Sequence, residues 1–176
     1  MINNAKNDVG DNSFYFLFWG WLTFIACIAQ YILHLLHSPY HYYVWLLMPV
    51  AGILTGIFSS REKKKERSRT IIKQALSDLW AGLALAFIVV IFINIKTNWQ
   101  NAFLGYILLY AIGTFISGRL LKFNPLIIGG LINFALVIVA CFFTYFEQGL
   151  ISGIAILISY IIPGHMLRAR YKKTQS

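Results

Sequence analysis

The chain has 176 residues, of which 59% are hydrophobic and only 12% charged, with a mean hydropathy of +0.67 and a formal net charge of +9. An ordinary globular domain is about a quarter charged, and so few charges cannot keep this much apolar side chain in water. A soluble enzyme or nucleic-acid module is excluded on these grounds, which leaves an integral membrane protein with no room for a second, soluble domain.

A helix needs about 20 mainly apolar residues to cross a hydrocarbon layer of roughly 30 Å. Six segments predict such helices, at about 14–37, 42–60, 76–95, 101–118, 126–146 and 150–167. The runs are continuous rather than alternating, which speaks against barrel strands. Helices also satisfy every backbone N–H and C=O internally, as lipid demands. The expected fold class is all-α: a polytopic transmembrane helix bundle of six spans, built as three helical hairpins in one domain covering residues 1–176.

The leader MINNAKNDVGDNS (1–13) carries one Lys against two Asp. That is a poor signal-peptide n-region, so it reads as a short cytoplasmic segment before an uncleaved first span. The first span runs into YILHLLHSPYHYY (31–43), where Gln30, His34 and His37 share one helical face and His41 follows an expected break at Pro39. Imidazoles bind Zn²⁺ or Cu²⁺, which makes His34 and His37 a candidate metal pair, with Glu147 as a third ligand expected at the same surface. The same residues suit a wet membrane interface, which is the favoured reading, and H-x-x-H is a far weaker pattern than H-E-x-x-H.

The second span holds Gly52-x-x-x-Gly56, and the sixth opens with Gly149-x-x-x-Gly153. Each pair sets two small residues one turn apart, permitting close helix contact inside the bundle or between two copies. Pro49 and Pro163 interrupt the same two spans, and each removes a helix hydrogen bond. Between spans two and three, the link at 61–75 carries Arg61, Lys63, Lys64, Lys65, Arg67, Arg69 and Lys73. Its first six basic residues are candidate contacts for anionic headgroups, each contributing on the order of 1 kcal/mol near such a surface. No recognition fold surrounds the stretch, so nucleic acid is not an expected partner. Ser68 predicts an N-cap ahead of span three, and Asp78 is expected near the start of that helix, where a carboxylate meets the favourable end of the dipole.

Asn133 lies deep in span five, where its amide needs a partner on another helix; with Gln30 it is the principal polar span residue. Cys27 and Cys141 sit in apolar runs with no C-x-x-C spacing, so neither a disulfide framework nor a thiolate zinc site is indicated. Glu147 is expected in a short turn, F-E-Q-G, between spans five and six. A basic tail closes the chain at 168–176. All of the fifteen Lys and Arg residues except Lys96 fall in alternate links, and the positive-inside rule then predicts both termini in the cytoplasm.

Four stretches, WGWLTFIA (19–26), VWLLMPVAGI (44–53), YAIGTFISGRLLKFNPLIIGG (110–130) and ISYIIPGHMLRARYKK (158–173), resemble a family of small bacterial six-span integral membrane proteins to which no activity is assigned. The resemblance covers most of the chain. It implies a single domain in the bacterial cytoplasmic (inner) membrane and supplies no site residue.

No nucleophile motif, no paired mid-span carboxylates and no cofactor signature stand in the spans. The expected function is a non-catalytic membrane component that packs with itself or a partner. A small-solute transporter or channel-like protein is the alternative, and a membrane-embedded metal-dependent enzyme a distant third.

Overall fold

The computed structural model describes the backbone of residues 2–65 and 71–175 and the side chains of residues 13–57 and 71–170. Every regular element among them is helical. α1 covers Ile2–Leu35; a 3-10 turn, His41–Leu46, leads into α2, Leu47–Lys65. α3 is Ile71–Lys96, and a second 3-10 turn at Trp99–Asn101 opens α4, Ala102–Leu120. After α5 (Asn124–Ala140), α6 (Tyr145–Ile156) passes through a π turn at Leu157–Ile161 into α7, Ile162–Gln175.

Four stretches are long and apolar enough to cross a membrane: Ser13–Leu35, Ile71–Lys96, Trp99–Leu120 and Tyr145–Arg170. The other two expected spans are shorter apolar helices, His41–Ile57 and Asn124–Ala140. At 1.5 Å per residue, α5 reaches only about 25 Å.

Local chemistry sets the ends. α1 and α4 both finish in Schellman motifs. Ser38 N–H donates to Leu33 O at 3.0 Å and His37 N–H to His34 O at 2.9 Å; Phe123 N–H donates to Gly118 O at 2.9 Å and Lys122 N–H to Arg119 O at 3.3 Å. The corner residue of such a motif takes left-handed backbone, and His37 (φ 53°) and Lys122 (φ 49°) are the two non-glycine residues that do so among those described. Pro125 then stands in the first turn of α5, where no N–H is needed.

The turn between α5 and α6 departs from expectation. It falls at residues 141–144 rather than around Glu147. Thr144 is the N-cap of α6, its N–H and hydroxyl both donating to Glu147 Oε2, at 2.8 and 2.9 Å. The turn was hidden because Phe142 and Phe143 extend the apolar run, whereas the T-x-x-E pattern of a capping box marks where the helix begins. Asp78 also departs: α3 begins at Ile71, so Asp78 is exposed beyond the first turn and outside the reach of the dipole. Ser68, the expected N-cap, lies outside the described residues.

Glycine decides which helices touch. A Cβ on Gly118 would stand 2.6 Å from the Ile127 nitrogen, and one on Gly130 2.7 Å from the Phe115 nitrogen, so α4 and α5 form the tightest pair in the bundle. α1 lies along α6 and α7. α4 bridges to α6 and carries α3 on its other flank. The loops after α1, α3 and α5 share one end, and Gln148 joins the last two, its Nε2 donating to Phe143 O at 3.0 Å and to Asn101 Oδ1 at 3.5 Å. Lys73, Arg119, Lys122, Arg168 and Arg170 lie toward the opposite end. The outer surface is apolar, with Leu85, Ile88, Phe92 and Ile95 of α3 and Val50, Ile53 and Ile57 of α2 all exposed.

Candidate functional site

The buried face of α1 is a heptad-like stripe: Ser13, Phe16, Gly20, Thr23, Cys27, Gln30. Spacings of three and four keep all six on one side of the helix. The stripe faces α6, where Gly149 and Gly153 leave room: a Cβ on Gly149 would meet Gln30 Oε1 at 3.7 Å, and one on Gly153 would meet the Cys27 Cβ at 3.4 Å. Across from it, α3 turns Leu76, Trp80, Leu83, Phe87 and Asn94 toward α4. Tyr106 and Tyr110 of α4 and Tyr160 of the π turn fill the space between, so that rings and hydroxyls form a column along the bundle axis.

At its upper end the column is tied by Gln30, which is 2% exposed. The Trp45 indole Nε1–H donates to Gln30 Oε1 at 3.0 Å, and Gln30 Nε2 donates to the Tyr145 hydroxyl at 3.2 Å. One amide thereby joins α1, the 3-10 turn and α6. Phe103 packs under this knot, with ring centroids 5.6 Å from Trp45 and 5.0 Å from Tyr145. Below it, the Cys27 thiol meets Ser152 and the Tyr106 phenol meets Asn94.

The lower end is an aromatic cage. Tyr160 lies 5.4 Å from Phe16, 6.0 Å from Trp80 and 5.3 Å from Tyr110, in each case edge to face. Phe16 and Trp80 themselves make an edge contact at 6.2 Å, which closes the cage between α1 and α3. One hydroxyl in it, Tyr160 OH, is buried without a hydrogen bond. The Thr23 hydroxyl is the polar neighbour of the Tyr110 phenol. Buried polar groups are nearly always paired, and an unpaired one calls for an explanation.

A second polar contact lies on the other side of α6. Asn133 Nδ2 donates to Ser159 Oγ at 3.0 Å, and Ser159 Oγ donates to Ala155 O at 2.7 Å. Ser159 reaches α5 because the π turn inserts a residue, with Ile162 N–H bonding five residues back to Leu157 O. Pro163, buried just beyond, has no N–H for the Ser159 carbonyl, which accounts for the wider turn at this point. Pro49 lies exposed near the start of α2.

The candidate metal residues are spread by the fold. The His34 ring stacks on Phe146 at 3.3 Å and meets His41 edge-on at 6.0 Å. His37 is exposed at the corner of its Schellman motif, and Glu147 is committed to the Thr144 cap. No group of three His, Cys, Asp or Glu residues that could hold a metal occurs among the described residues. Of the glycine pairs, Gly149 and Gly153 face α1, whereas a Cβ on Gly52 would meet only Trp19, at 4.0 Å, and one on Gly56 nothing within 4 Å. The headgroup candidates Arg61, Lys63, Lys64, Lys65, Arg67 and Arg69 have side chains outside the described residues.

Sequence reasoning found Gln30 but not Trp45 and Tyr145 as its partners, nor Thr23, Tyr110 and Tyr160. The signal was present in the α1 stripe, which continues downward from Gln30 in the same register. Comparison with protein-family models, curated proteins and solved structures finds no match to this chain.

Proposed function

We propose that the chain is a six-span protein of the bacterial inner membrane, with both termini in the cytoplasm. Its role is that of a non-catalytic membrane component that works through its interior column. The observation that carries the membrane placement is α3. Its apolar stretch has a hydropathy of 2.4, yet only 11% of it is buried inside the bundle. Water cannot solvate such a helix, and lipid does so without penalty. The shorter helices α2 and α5 span by the same argument, with a short helix met by local thinning or by snorkelling side chains.

The interior supports binding rather than chemistry. Its described polar groups are hydroxyls, carboxamides and a thiol, which recognise uncharged molecules and hold no ion pair. Passage of a small neutral solute is the second reading, favoured by the run of polar groups from Gln30 down to Tyr160. Cysteine labels test the placement. Lys65→Cys and a cysteine appended at the carboxyl terminus are expected to react only after the membrane is opened from the cytoplasmic side. Labelling of the two on opposite faces, or recovery of intact chain without detergent, overturns the reading.

A further inference from the structure

We propose that His34 and His41 form a two-imidazole site for a divalent transition-metal ion, copper(II) ahead of zinc(II), at the end of the bundle that carries the loops after α1, α3 and α5. The inference goes beyond the function proposed above and does not depend on which way the chain faces.

The set expected from the sequence, His34 with His37 and Glu147, is taken apart by the fold, and His41 takes the place of His37. The left-handed corner at His37 turns the chain away after α1. The 3-10 turn then brings His41 back beside His34, with ring centroids 6.0 Å apart and planes at 72°. Two imidazoles joined to one ion by bonds of about 2.0–2.1 Å stand with their centroids about 4.5–6.5 Å apart, according to the angle at the metal. The observed separation lies within that range.

Three further features suit a ligand pair. The His41 Nδ1 lies 3.0 Å from Ser38 O. A carbonyl only accepts, so this nitrogen carries the proton and Nε2 keeps its lone pair for a metal; a ligating imidazole almost always has its other N–H held in this way. Second, one side chain braces both rings. Phe146, in the first turn of α6, stacks on His34 at 3.3 Å and meets His41 edge-on at 5.3 Å. Stacking covers a face of the imidazole, whereas a metal binds at a nitrogen in the plane of the ring. Third, His34 belongs to the last turn of α1, where the helix dipole favours a cation. Both rings are half-buried, so an ion reaches them from solution. No third His, Cys, Asp or Glu joins the pair among the described residues, which leaves the other positions on the ion to water or a small ligand. Imidazole suits both metals, and a given site holds copper(II) more tightly than zinc(II).

Full-length protein in detergent, stripped of metal with EDTA and dialysed, is titrated with copper(II) chloride and with zinc chloride by calorimetry. One equivalent of copper is expected, held more tightly than zinc. Electron paramagnetic resonance of the copper-loaded protein is expected to show two nitrogen ligands, and labelling histidine with heavy nitrogen to change their splitting, which identifies imidazole without any substitution. His34→Gln and His41→Gln are each expected to weaken binding by at least about a hundredfold, since one ligand of a linked pair is lost. His37→Gln and Glu147→Gln are expected to bind copper as the unaltered chain does. An ion bound only by the folded protein stabilises it, so copper is expected to raise the melting temperature of the unaltered chain and of His37→Gln, and to leave that of the other two histidine variants where it stands without metal. Binding that survives both His34→Gln and His41→Gln places the ion elsewhere on the chain and overturns the proposal. So does a chain that takes up no copper, the outcome if the two rings serve only as packing at the membrane interface.

Discussion

The Trp45 indole N–H donates to the side-chain oxygen of Gln30 across 3.0 Å, and the same carboxamide donates onward to Tyr145. Gln30→Leu keeps the bulk and strands both partners. Interhelical hydrogen bonds in membranes contribute about 0.6–2 kcal/mol each, so the variant is expected to lose about 1–3 kcal/mol and to free the 3-10 turn. A lowered melting temperature in detergent together with a shifted Trp45 emission checks it. Trp45→Phe, which leaves the Gln30–Tyr145 bond in place, should cost less; an equal loss would mean that the amide does not link the three elements.

The two left-handed corners lead to a prediction of the opposite sign. A residue with a Cβ is strained by about 1–2 kcal/mol in this conformation, while glycine adopts it freely at some entropic cost in the unfolded chain. His37→Gly and Lys122→Gly are each expected to stabilise the protein by roughly 0.5–1 kcal/mol, read as an increased midpoint in a denaturing-detergent titration. Destabilisation by both would show that the side chains, rather than the backbone, define these corners.

The glycines divide into those that set a distance and those that do not. Gly118→Ala and Gly130→Ala place a methyl against backbone of the facing helix, and overpacking of this kind costs about 1–3 kcal/mol or more. Gly56→Ala meets open space in this chain and is expected to hold or slightly raise the melting temperature, since alanine is favoured over glycine inside a helix by about 0.5–1 kcal/mol. Loss of a dimer on size-exclusion chromatography in the Gly56 variant, with the monomer as stable as before, would instead identify the Gly52–Gly56 face as the contact between two copies.

Asn133 and Ser159 hold α5 to the π turn. Asn133→Leu is expected to destabilise by about 1–2 kcal/mol, and Ser159→Ala by a similar amount, with much less than the sum in the double variant because both remove one bond. Additive losses would place their stabilising contacts elsewhere.

The order of apolar segments, the alternation of basic links and the depth of Asn133 within its run were all legible along the chain, because lipid imposes length and hydropathy on a span regardless of its neighbours. Local signals were legible where they stood alone, as with the break near Pro39. The turn before α6 was not, since two phenylalanines masked a capping box that only geometry made plain. What the tertiary structure alone decided is which faces meet. The α1 stripe acquires its meaning from Trp45 in the next element and from Tyr110 and Tyr160 far away in sequence, and Gly118 and Gly130 become close contacts only because α4 and α5 are antiparallel neighbours. A span's existence follows from its own transfer into lipid, a property of one segment; its partners follow from shape and unpaired hydrogen-bonding groups, which belong to pairs of segments and cannot be read from either one.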